Sequence, residues 1–229
     1  MKRPAIQAAL IMALLSCSQA MAPVWANPSS APPAGLMTRI RQFLGVQPRS
    51  VSVGGTRSNT AQAVCLLSPG PIEPGRDGPT VRVVDPQPAL VLGSPLNEIE
   101  LRRGEAVLWS KLASSKKAIS GRLAWPLAPL KPGERLELAM RPRGAAGGDW
   151  AVVSLQAASV GDQQRYAAAL RVSVGNGERQ LQELDQAAMV GDGPLAQALL
   201  WAPVTSNNSD LAALQREQQA SCETARLNR

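Results

Sequence analysis

Histidine does not occur anywhere in the 229 residues. Its absence removes Ser-His-Asp and Cys-His catalysis, imidazole-ligated zinc and imidazole proton shuttling in one step. Aromatic residues are scarce as well: one Tyr, one Phe and five Trp. So few stacking platforms leave little from which to build a single-stranded nucleic-acid surface, and no nucleic-acid partner is expected. Cysteine is limited to Cys17, Cys65 and Cys222. Three scattered thiols exclude a Cys-rich metal site. No apolar run reaches the roughly 20 residues that a permanent membrane-spanning helix needs.

What is present begins with an export signal. Lys2 and Arg3 form a basic start, an apolar stretch runs from Ala5 to Leu15, and Val24-Trp25-Ala26 places small residues ahead of Asn27-Pro28. That order is the secretory pattern, with cleavage expected after Ala26 and 1–26 as signal peptide. A second reading stays open. Leu14-Leu15-Ser16-Cys17 resembles a bacterial lipobox, which implies lipidation at Cys17 and a membrane anchor. Either cut leaves Cys65 and Cys222 as the remaining pair, and in an oxidising compartment two such cysteines pair most simply with each other. A loop that long is worth about 4 to 5 kcal/mol on the chain-entropy model. Leu211, Leu214, Gln218 and Cys222 share one helical face, so Cys222 is expected to point inward.

Residues 1–26 carry two basic residues and no acid, so their removal takes the net charge from +7 to +5. The charge is spread in pairs: Arg39 and Arg41, Arg102 and Arg103, Lys116 and Lys117, Arg141 and Arg143. Such pairs are mostly solvated faces, and otherwise they attract acidic polysaccharide or an anionic surface.

Along the chain, 27–48 reads as a linker with a short amphipathic helix from Leu36 to Leu44. From 49 to 158 the apolar period becomes two, with turn signals such as Asp77-Gly78, Gly93-Ser94-Pro95 and Lys131-Pro132-Gly133. Strands are expected near 62–67, 80–84, 88–92, 98–102, 105–111, 121–125 and 134–140, with an eighth near 149–156. Seven or eight short strands with regular turns predict an Ig-like β-sandwich. From 159 to 229 the pattern is helical, although 163–174 suits either a helix or a last strand. The fold class expected is α+β: a sandwich followed by a helical C-terminal cap.

The search for chemistry returns no catalytic set, no metal set and no cofactor. Gly54-Gly55-Thr56-Arg57 lacks the Gly-Lys-Ser/Thr ending of a phosphate loop and reads as a turn. Glu98 and Glu100 sit two apart on the wet face of a strand, where no desolvation prepares a carboxyl for acid catalysis. A hydrolase of unidentified type is the least favoured reading. Trp109, Trp125 and Trp150 are expected to give bulk to the core. The alternative is an exposed indole that stacks on sugar rings. Trp125, beside Pro126 on an edge, is its best candidate, with Lys116, Lys117, Arg141 and Arg143 supplying charge.

Val53-Gly54-Gly55-Thr56-Arg57-Ser58, followed by Cys65-Leu66-Leu67-Ser68-Pro69, resembles the opening of a cyanobacterial secreted family of unknown function. Leu123-Ala124-Trp125-Pro126 and Leu130-Lys131-Pro132-Gly133-Glu134 resemble its later strand, proline and turn segment. The resemblance covers about half of the mature chain and implies export and a sandwich, with no activity attached. That family carries its second cysteine within or just after the strands, whereas here it is Cys222. The expected function is a non-catalytic, extracytoplasmic binding or assembly module acting on an envelope protein. The alternative is a carbohydrate-binding module for acidic glycans.

Overall fold

A computed structural model describes residues 35–45, 50–52, 63–145, 148–203 and 208–227. The expected signal peptide with Cys17, residues 27–34 of the linker and the Gly54–Arg57 turn lie outside them. In chain order the elements are α1 (Leu36–Gly45), β1 (Ser50–Ser52), β2 (Ala63–Ser68), β3 (Glu73–Gly75), β4 (Gly78–Val83), β5 (Leu90–Arg103), β6 (Ala106–Leu112), β7 (Ile119–Leu123), β8 (Arg135–Pro142) and β9 (Ala151–Ala157). Four helices follow: α2 (Val160–Ser173), α3 (Gly177–Met189), α4 (Gly193–Leu200) and α5 (Ser209–Leu227).

The expected sandwich is not formed. The strands make one strongly curled mixed sheet, a half-barrel, in the order β1-β2-β5-β8-β9-β4-β3. Strands β6 and β7 both pair with β5, and among the described residues only the β4–β9 pair is parallel. The physical reason lies in Gly93-Ser94-Pro95. Read as a turn, this triplet separates two strands at 88–92 and 98–102. In the structure it is a bend inside one 14-residue strand, with register shifts between Leu92 and Leu96 and between Leu96 and Glu98. A strand that bends without ending carries its neighbours round with it, and bulges increase the local twist. One sheet therefore curls over its own inner face where two were expected to stack.

Alternation then sorts the side chains into two cores. On β2, Val64 and Leu66 face the inside of the curl while Cys65 and Leu67 face the helices. On β5, Leu90, Leu92, Leu96, Ile99 and Leu101 point inward, and Val91 points to the helices. The inner core is completed by Val81, Val83, Leu136, Leu138, Met140, Val153 and Leu155. The outer core joins β2 and the first half of β5 to Ile40, Leu44, Tyr166, Leu184, Leu199, Trp201, Leu211 and Leu214. Each fully buried leucine contributes about 1.5–3 kcal/mol.

The helices begin where capping chemistry permits. Ser159 accepts from the Asp162 N–H and donates to the Asp162 carboxylate, a reciprocal cap for α2. That cap and the run Ala167–Ala169 decide the open segment 163–174 as helix, against the β-branched Val172 and Val174. Asn176 caps α3, Asp192 caps α4 with Pro194 in its first turn, and Asn208 Oδ1 accepts from the Asp210 and Leu211 N–H groups of α5. Arg82 on β4 reaches Asp162 and Asp192, and Arg165 reaches the same two carboxylates, which pins the helical layer to the sheet.

The Cys65–Cys222 disulfide expected from the cysteine count joins β2 to α5, with both cysteines buried and their Cα atoms 5.9 Å apart. Leu211, Leu214, Gln218 and Cys222 are all buried, so the helical face read from spacing is the packed one. Strands β1 and β3, three residues each, are too short for any periodicity to show, and neither was expected.

Candidate functional site

Strand β5 is flanked by β2 and β8 along one edge and by β6 and β7 along the other. Strands β6 and β7 run in the same direction along β5, meeting it from Arg103 to Glu98 and then from Leu96 to Leu90. They amount to one long edge strand interrupted by an excursion over 113–118. Among the described residues neither has a partner on its outer side. Lys116 and Lys117 project from the excursion and are exposed.

Strand β6 is unlike every other long strand of the sheet. Six of its seven residues are exposed, and Trp109 alone is half-buried, packed on the inner core. Val107 is 51% exposed, Leu108 38% and Leu112 65%. A bulge interrupts the pairing of this strand with β5. Leu101 faces Trp109 and Arg102 faces Val107, which leaves Leu108 with no partner across β5. With Val107, Leu108 and Leu112 exposed and no outer partner among the described residues, this edge is a template for another strand.

Beside this edge, the outer face of β5, β8 and β9 carries a charge ladder. Arg141 Nε and Nη2 donate to Glu98 Oε2 at 3.1 and 2.6 Å, across directly paired positions. Arg102 Nε donates to Glu100 Oε2 at 2.6 Å. The Arg102 and Arg141 guanidinium carbons lie 5.0 and 5.8 Å from the Trp150 ring centroid, a double cation–π contact. Glu98 and Glu100, expected to be exposed, are only 15% and 12% accessible at the side chain because the arginines and Trp150 cover them. The ladder is neutral as a unit, each guanidinium being paired with one glutamate.

The sequence candidates are therefore dispersed. Trp125 packs half-buried against the inner core, and its Nε1 donates to the Ala128 carbonyl at 3.0 Å. It lies beyond the Leu90–Leu123 pair, whereas Arg141 faces Glu98. Eight residues of β5 separate those positions, roughly 25 Å along an uncurled strand. Arg143 is exposed in the turn after β8, its N–H bonded to the Pro95 carbonyl. The indole that does meet the arginines is Trp150, expected in the core and found on the opposite face of the sheet. The registers of β5 against β8 and of β8 against β9 together bring Arg102, Arg141 and Trp150 into contact, and no local spacing encodes that.

Elsewhere, an open groove of about 430 Å³ runs between α1 and α3, lined by Leu36, Arg179, Gln182, Glu183, Gln186 and Met189. Asp85 is half-buried between β4 and β5. Its Oδ1 accepts from the Gln87 N–H and its Oδ2 from the Tyr166 hydroxyl. Burial pushes the Asp85 carboxyl above its usual range, opposed by these hydrogen bonds, and burial beside Asp85 also pushes the Tyr166 hydroxyl up. No cluster of three metal-ligating side chains exists among the described residues. No described helix is long and apolar enough to cross a membrane. No protein-family model, characterised protein sequence or solved structure matches the chain.

Proposed function

We propose that this chain is an exported, non-catalytic assembly module of the cell envelope that works through the open edge of its sheet. The observation that carries the reading is β6: a seven-residue strand with apolar side chains on both faces and no partner on its outer side among the described residues. Strand addition gives affinity through main-chain hydrogen bonds and selectivity through alternate side chains, with no catalytic residue required. The buried Cys65–Cys222 bridge supports folding in an oxidising, extracytoplasmic compartment. The basic start and small-residue tail of 1–26 support delivery there.

The acidic-glycan alternative draws no support from the geometry. Arg141 is held by Glu98, the Trp125 Nε1 is satisfied internally, and Lys116 and Lys117 lie on the opposite side of β5 from Arg143.

A photoreactive residue at Leu112, installed in cells producing the full-length protein, tests the reading. Covalent adducts are expected in the envelope fraction from Leu112 and not from Glu178, an exposed control on α3. Equal or absent adducts at the two positions would remove the basis for an edge-mediated role. Mass measurement of the mature N-terminus separates a start at Asn27 from a lipidated start at Cys17.

A further inference from the structure

We draw no further inference here: the strongest candidate, the open β6 edge of the sheet with Val107, Leu108 and Leu112 exposed, belongs to the site already described, and nothing in the structure shows what covers it.

Discussion

Gly93 lies directly beneath Cys222. A Cβ built on Gly93 would sit 2.6 Å from the Cys222 sulfur, 2.9 Å from its Cβ and 3.2 Å from the Cys65 sulfur. The bend of β5 therefore does two things at one residue: it curls the sheet, and it opens a floor on which the bridge rests. Gly93→Ala is expected to force the bridge and α5 off the sheet, at about 1–3 kcal/mol, the usual cost of overpacking a filled interior. Urea unfolding of the oxidised protein measures the loss. An unchanged midpoint would mean that the sulfurs do not rest on this backbone.

Removing the bridge itself acts mainly through the unfolded chain. The two cysteines are 157 residues apart, so the closed loop is worth about 5 kcal/mol on the chain-entropy model. Cys65→Ala with Cys222→Ala is expected to lose most of that and to make the thermal midpoint indifferent to reductant. Thermal melts with and without reductant, on both proteins, check the two statements together.

The bend at Gly93 also marks the limit of what local sequence encodes in this fold. Strands signalled by strict alternation, such as Leu136-Leu138-Met140, fall where expected, and the segment from 159 onward read as helical forms helices. The bridge follows from cysteine number and helical phase alone. The layer count does not, because Gly93-Ser94-Pro95 has the composition of a turn and the geometry of a bend. Whether a chain reverses there depends on the strands pairing on either side, which is long-range information. The open edge is hidden for a related reason. Val107, Leu108 and Leu112 look like core residues by type, and their exposure follows from β6 having one neighbour instead of two.

Two nearby arginines on α1 provide a contrast in burial. Arg39 grips Asp185 of α3 with two hydrogen bonds, at 3.0 and 2.6 Å, and the Asp185 side chain is 8% accessible. Arg41 makes a similar contact to Glu217 of α5, but that carboxylate is 46% accessible. Asp185→Asn is expected to cost about 1–3 kcal/mol, the range for losing a charge-assisted bond within a packed layer. Glu217→Gln is expected to leave the urea midpoint unchanged, since water screens that pair. Equal losses at the two positions would contradict the assignment of α1 to the buried pair.

Asp85 gives the fold a pH dependence of unusual sign for a carboxylate. Its folded value lies above the ordinary range because burial outweighs the help of Gln87, Tyr166 and Arg122. The folded chain therefore holds this proton more tightly than the unfolded chain does. The resulting contribution to stability is complete below the ordinary carboxylate range and is lost as pH rises through the folded value. Glu134 and Asp162 work in the opposite direction. The Lys131 N–H lowers the first and the Arg165 hydrogen bond lowers the second, so their contributions are lost as pH falls. Asp85→Asn is expected to abolish the decline on the alkaline side of the carboxylate range while leaving the acid limb in place. Tyr166→Phe removes a hydrogen bond that favours the charged carboxylate, so it should shift that decline to higher pH. Urea midpoints measured from acid to neutral pH on the three proteins decide the matter. A wild-type profile that superimposes on that of Asp85→Asn would mean that Asp85 ionises in the folded chain as it does in the unfolded one.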